Sequence, residues 1–204
     1  MASLPPIQAI LQGCSSHTDS SLANALTTLF EYSQILISRL EPELAASFRS
    51  GSKISSYPEL IDLALAHIEA WDVESQALFI AGHPRIGESD KLSILSTKEQ
   101  GLGAHRVNPT SPEVLGRLTH LNQCYETMYP GLRYITFVNG RSRAEILEEM
   151  EGVLHFEHSL SPVSPVLEDL VPVDVTSEAW RSELARAIRD VGRIAQSRLN
   201  ALGI

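Results

Sequence analysis

The sequence predicts an all-α fold, arranged as a single compact multi-helix domain over residues 1–204. Apolar residues recur at intervals of three and four along most of the chain, which is the period of an amphipathic helix. Only one short stretch is rich in β-forming residues, so strands and helices cannot alternate as an α/β fold requires. The chain has 204 residues, of which 43% are hydrophobic, and this is enough to bury a core.

The first elements are two helices and a short apolar piece. The leucine-rich stripe over residues 22–40 predicts one helix, which Pro42 helps to stop. The segment Ser56-Tyr57-Pro58-Glu59 combines an N-cap serine, a first-turn proline and a capping-box glutamate, and it predicts the start of a second helix. The third, short apolar piece ends at Leu78-Phe79-Ile80.

The middle of the chain is more irregular. Residues 81–103 contain four glycines and a dense polar run, which indicates loops and short helical turns. Residues 110–113 read Thr-Ser-Pro-Glu and predict the start of a long helix that Pro130-Gly131 ends. The β-rich residues 134–138 are typical either of a short strand or of an extended buried segment.

The last third of the chain returns to the helical period. We expect a helix over residues 142–154 and a final helix whose apolar stripe runs from Trp180 to Leu199. Residues 159–177 contain three prolines and little periodicity, which favours a surface excursion inserted before the final helix. The acidic run of Glu148, Glu149 and Glu151 is interpreted as a solvated face.

Composition excludes several classes of function. The net charge of −9 disfavours nucleic acid and anionic membranes, because phosphate groups require a basic surface. No apolar run reaches the length of a transmembrane helix, and the N-terminal residues do not resemble a secretory signal. The only cysteines, Cys14 and Cys124, cannot form a zinc site or a disulfide framework, so a reducing compartment is the default expectation.

The segment with the clearest chemical potential begins at His83-Pro84. A histidine before proline is held near an extended backbone, and an ordered imidazole exchanges protons near neutral pH. Downstream, Ser96-x-x-Glu99 with Gln100 offers a carboxylate, an amide and helix N-terminal N–H groups. Each feature also has a structural interpretation, since Ser96-x-x-Glu99 is an ordinary capping box and a single loop histidine is common.

Taken together and in order, these features resemble the family of 2-oxo-4-hydroxy-4-carboxy-5-ureidoimidazoline (OHCU) decarboxylases. The resemblance extends from about residue 22 to residue 154 and resumes weakly over residues 194–199. The residues that carry it are Leu29-Phe30-Glu31-Tyr32-Ser33, His83-Pro84, Gly87, Ser96 to Gln100, Leu121-Asn122-x-x-Tyr125, Gly140-Arg141-Ser142 and Glu145-Ile146-Leu147.

The resemblance implies an all-α homodimer without metal or organic cofactor that converts a small ureide to (S)-allantoin in urate breakdown. It implies a cytoplasmic or peroxisomal enzyme, and the C-terminal residues carry no peroxisomal signal. The catalytic pair it implies is His83 and Glu99, whose side chains should converge beside the segment 134–138. The substrate-binding residues it implies are Pro84, Ser96, Thr97, Lys98, Gln100, Tyr134, Ile135, Thr136, Phe137, Val138 and Arg141.

Departures from the family pattern leave two alternatives open. Arg85 stands where the family often has an acidic residue, and Leu132-Arg133-Tyr134 replaces the usual Phe-Pro-Phe, so the charge preference of the site differs. The alternatives are a paralogue that decarboxylates a related ureide and a helical interaction domain without catalysis. We interpret His155-x-Glu157-His158 as a solvated helix end rather than a metal site, and His67 as a partly buried structural histidine.

Overall fold

The computed structural model describes residues 4–12, 20–88 and 110–203. Within them the chain forms eight α-helices and no β-strand, so the predicted all-α class is confirmed. The helices are α1 (Ile7–Gln12), α2 (Ser21–Phe30), α3 (Glu41–Arg49), α4 (Tyr57–Glu69), α5 (Val73–Ala81), α6 (Pro112–Met128), α7 (Arg143–Val153) and α8 (Glu178–Leu202).

The described residues divide into two compact units. The first contains the chain up to His83 together with the residues from Arg186 onward, and the second contains Pro84 to Ala185. Helices α1 to α5 and most of α8 belong to the first unit. Helices α6 and α7 belong to the second unit, together with the start of α8.

The prediction of one continuous helix over residues 22–40 is wrong. Helix α2 ends at Phe30, and Glu31 follows with a positive φ of 64°, which no α-helix accommodates. The hydroxyl of Ser33 then accepts the N–H of Leu36 at 3.3 Å, and this local bond starts the next helical stretch. The apolar period alone did not indicate the break, because leucines on both sides of it are buried.

Pro42 begins a helix rather than ending one. Residues Leu36–Leu40 form a π-helical turn that leads directly into α3, and the N–H of Glu41 donates to the carbonyl of Leu36. Pro42 therefore lies in the first turn of α3, where its fixed φ suits the helix. The predicted stop at Pro42 is a helix start.

The helix starts that the sequence predicts from capping residues are confirmed. The hydroxyl of Ser56 accepts the N–H of Glu59, and Ser111 caps α6 in the same way through Val114. At α7 the capping box is complete, with Ser142 and Glu145 each accepting the other's backbone N–H. Of the two alternatives for residues 134–138, the structure shows the extended buried segment.

A buried ion pair connects α6, α7 and the excursion within the second unit. Arg117 is 1% exposed and its Nε donates to Oε1 of Glu151 at 2.8 Å. The same guanidinium donates to the backbone carbonyls of Ser161 and Ser164, which anchors the start of the predicted surface excursion. Because Glu151 is 2% exposed, its assignment to a solvated acidic face is wrong. It shares a helix face with Leu147 and Leu154, which are also buried.

We expect the substitution Glu151→Gln to lower the free energy of unfolding by about 3 kcal/mol, because it leaves the buried Arg117 without its counter-charge. The measurement is urea denaturation followed by circular dichroism. The matched control is Glu148→Gln, three residues away on the exposed face of α7, for which we expect a change below about 0.5 kcal/mol. Equal denaturation midpoints for the two variants would contradict the stabilising role of the pair.

Candidate functional site

The structure holds the predicted catalytic histidine in one orientation. His83 lies two residues after the end of α5 and is 5% exposed. Its Nδ1 lies 3.0 Å from the carbonyl oxygen of Phe79, and its ring packs edge-on against the Phe79 ring at a centroid distance of 5.1 Å. The imidazole thus satisfies one of the last carbonyls of α5, and that bond fixes the plane of the ring.

The environment of His83 keeps the imidazole neutral. A carbonyl oxygen only accepts hydrogen bonds, so Nδ1 of His83 must carry a proton and donate it in a hydrogen bond to the Phe79 carbonyl. Burial, reinforced by the nearby Arg198 guanidinium, lowers the pKa of His83 to about 4. At neutral pH the ring therefore has its proton on Nδ1 and its basic lone pair on Nε2.

Two residues that sequence reasoning did not assign to the site influence His83. Arg198 is 3% exposed, and its guanidinium donates to the carbonyls of Thr28 and Leu29 and to Glu31 Oε1 at 2.8 Å. The charges of Arg198 and Glu31 act on the His83 pKa in opposite directions, with Arg198 lowering it and Glu31 raising it. Glu31 falls within a motif that carries the family resemblance, but only the fold reveals its buried partner from the last helix.

Helix α6 holds the turn that follows the histidine through two side-chain contacts and lies close to Gly87. Glu126 binds the guanidinium of Arg85 with both carboxylate oxygens at 2.7 Å, and the Asn122 amide donates to the carbonyl of Ile86 at 2.9 Å. One helical turn earlier, the side chain of Leu118 lies 3.5 Å from where a Cβ of Gly87 would stand. The predicted substrate residue Pro84 begins this turn and belongs to the same unit as α6.

The two arginines that depart from the family pattern are balanced by carboxylates. Arg85 also pairs with Glu88 at 3.1 Å, and Arg133 lies 3.8 Å from Glu126. Burial lowers the pKa of Arg133. The pKa of Arg85 is raised by its own ion pairs. Two arginines and two glutamates thus form one electrically balanced group on the second unit.

The extended segment 134–138 is joined to α7 through Glu149. The hydroxyls of Tyr134 and Thr136 both donate to Oε1 of Glu149 at 2.7 Å. Tyr134 and Thr136 point to the same side because side chains alternate along an extended backbone. Glu149 is therefore a partly buried hydrogen-bond acceptor, and its assignment to the solvated acidic face is wrong.

The guanidinium of Arg141 folds back over the same segment. It donates to the Thr136 hydroxyl at 3.0 Å, to the carbonyls of Phe137 and Val138, and it pairs with Glu149. Arg141 thus bonds residues that the resemblance implies for substrate binding, and all of these contacts lie within the second unit.

The other predicted site residues, Ser96 to Gln100, lie outside the described residues. The convergence of His83 with Glu99 accordingly stays a prediction.

The remaining candidate residues are exposed or make contacts typical of structural side chains. In the described part of the chain, no group of three or more His, Cys, Asp or Glu side chains could hold a metal ion. His155 and Glu157 are exposed, and His158 pairs with Glu151 at 2.8 Å. His67 is partly buried between Ser47 and Glu43, as predicted. Among the described helices, none has the length and hydropathy needed to cross a membrane.

The structure is thus that of an all-α protein with a buried histidine whose imidazole is neutral. The model of the OHCU decarboxylase family matches residues 15–159, which is well over half of the chain. The chain therefore belongs to the OHCU decarboxylase family, and membership implies a decarboxylating lyase of urate degradation. Comparison with curated proteins gave no significant match.

We expect His83 to remain neutral down to about pH 4 in the folded protein, because burial and Arg198 disfavour its charged form. The unfolded chain binds this proton near pH 6.5, so the contribution of His83 to stability is complete above pH 6.5 and is lost as the pH falls toward 4. The measurement is a histidine NMR titration, combined with unfolding experiments between pH 7 and pH 4. The control His83→Asn should lack this part of the pH dependence, and titration of His83 near pH 6.5 would contradict the prediction.

Proposed function

We propose that this protein decarboxylates OHCU to (S)-allantoin, with His83 as the group that moves a proton on the substrate. The observation that supports the proposal most directly is the state of His83, which is buried, oriented by Phe79 and neutral at physiological pH. Family membership supplies the reaction class, because it implies a decarboxylating lyase. The choice of OHCU as the substrate is part of the proposal.

The reaction needs orientation, desolvation and proton transfer rather than a redox step. As the bond to the carboxylate breaks, its electron pair passes into the adjoining C=N bond, whose nitrogen takes up a proton. The ring hydroxyl then loses its proton and becomes a carbonyl, while the carbon that bears the ureido arm gains one. In total, the substrate in its carboxylate form releases one CO₂ and takes up one proton.

A neutral His83 suits the second of these proton transfers. Its Nε2 accepts the proton of the ring hydroxyl and returns a proton to the ureido-bearing carbon, so one group serves as base and then as acid. Delivery from a single imidazole reaches only one face of the ring, which accounts for a single enantiomer. The burial that keeps the imidazole neutral also favours loss of CO₂, because an ionised carboxylate is less stable away from water.

The substrate-binding residues in this proposal are those that the family resemblance implies. We propose that Glu99 holds N–H groups of the substrate and that the backbone of residues 134–138 binds the ring edge. The tyrosine and threonine hydroxyls of that segment already bond Glu149, which supports a role for its backbone rather than for these side chains. The other proposed contacts are Pro84, Ser96, Thr97, Lys98, Gln100 and Arg141.

We expect His83→Asn to lower kcat on freshly generated OHCU by about 10³-fold, since a positioned acid–base group contributes about 10² to 10⁴ in rate. The assay follows (S)-allantoin by circular dichroism, because OHCU also decays spontaneously to the racemate. The matched control is His67→Asn, which removes a half-buried histidine from α4 and should leave kcat within about threefold.

Far-UV circular dichroism would verify that both variants are folded. Enantioselective turnover by folded His83→Asn at the wild-type rate would refute the assigned role. Lack of any decarboxylation by the wild-type protein would favour a related ureide as substrate, or a helical interaction domain, over OHCU decarboxylation.

A further inference from the structure

Glu149 collects three hydrogen-bond donors from one short stretch of chain. Its Oε1 accepts the hydroxyls of Tyr134 and Thr136 at 2.7 Å each, and its carboxylate pairs with the guanidinium of Arg141. The three donors fall within eight consecutive residues, whereas Glu149 lies on α7. One carboxylate thus connects both ends of this stretch to a rigid helix.

The side chains that contact Glu149 also bond one another. The Thr136 hydroxyl donates to Glu149 and accepts from Arg141 at 3.0 Å, so its donor and an acceptor lone pair are both used. Arg141 further donates to the carbonyls of Phe137 and Val138. Glu149, Thr136 and Arg141 each bond at least two partners and Tyr134 bonds Glu149, so these side chains together fix the path of residues 134–138.

The segment has little other regular structure to hold its shape. Residues 132–138 form neither helix nor strand, and Gly131 and Asn139 at its two ends have positive φ angles of 84° and 47°. The side chain of Tyr134 packs on Tyr125, and Ile135 is buried on the opposite side of the extended backbone. The polar contacts to Glu149 act together with this packing to fix how the backbone of residues 135–138 is presented.

We infer that Glu149 is a positioning residue that sets the conformation of residues 134–138 and thereby the affinity for substrate. This inference rests on the proposed function only in so far as that segment binds the ureide. Glu149 does not touch the reacting atoms in this scheme. Its loss therefore weakens binding and leaves the proton transfers at His83 in place.

The test compares Glu149→Gln with Glu148→Gln, its exposed neighbour on α7. For Glu149→Gln we expect a KM about tenfold higher with kcat changed less than about threefold. We also expect the amide hydrogens of residues 134–138 to exchange about tenfold faster in the substrate-free protein. Glu148→Gln should alter neither quantity. Tyr134→Phe removes one of the three donors without changing charge, so it should give smaller changes in the same direction.

Unchanged KM and unchanged exchange in folded Glu149→Gln would overturn the inference, and so would a fall in kcat at constant KM. If Glu149→Gln does not fold, the Tyr134→Phe variant decides the question by the same two measurements. Faster exchange of residues 134–138 with unchanged KM would support the shaping role and refute substrate binding by this segment. Absence of activity in the wild-type protein would refute the proposed function, while the exchange experiment would still decide whether Glu149 holds the segment.

Discussion

The buried guanidinium of Arg198 connects the local structure around His83 to its chemistry. It donates to the carbonyls of Thr28 and Leu29, two of the last four of α2, where a positive charge also interacts favourably with the helix dipole. Its bond to Glu31 holds that residue in the left-handed region that ends α2. The same charge lowers the pKa of His83. One side chain thus closes a helix, stabilises a strained turn and adds to the effect of burial, which is the main cause of the neutral imidazole.

The features that the sequence predicts well are those fixed by neighbours along the chain. The caps at Ser56 and Ser111 each bond a backbone N–H three residues away, so a pattern of four residues is enough to find them. The break after Phe30 involves Arg198, which is 167 residues from Glu31. No local pattern contains that information. The leucines on both sides of the break follow the helical period and therefore give the pattern of one continuous helix.

The two misassigned glutamates show the same limit. Glu149 and Glu151 look like solvent-facing residues of an acidic run, yet their partners come from residues 134–141 and from Arg117. The period of α7 did place Glu151 on the buried face with Leu147 and Leu154, so that error was avoidable from the sequence. Glu149 offered no such signal, because it becomes an acceptor only where the extended segment passes beside α7.

Under the proposed function, the neutrality of His83 favours the role of a base over that of a proton donor in the first step. A group with a pKa of about 4 is almost wholly deprotonated at pH 7, so it holds no proton to give when the carboxylate leaves. It is suited instead to polarise and then deprotonate the ring hydroxyl. Binding of an anionic substrate beside the ring would raise the pKa of the imidazole, since a nearby negative charge favours the protonated form. In the proposed scheme the imidazole is thus a stronger hydrogen-bond acceptor for the ring hydroxyl while the carboxylate is present, and once CO₂ has left the protonated ring gives up its proton more readily to the ureido-bearing carbon.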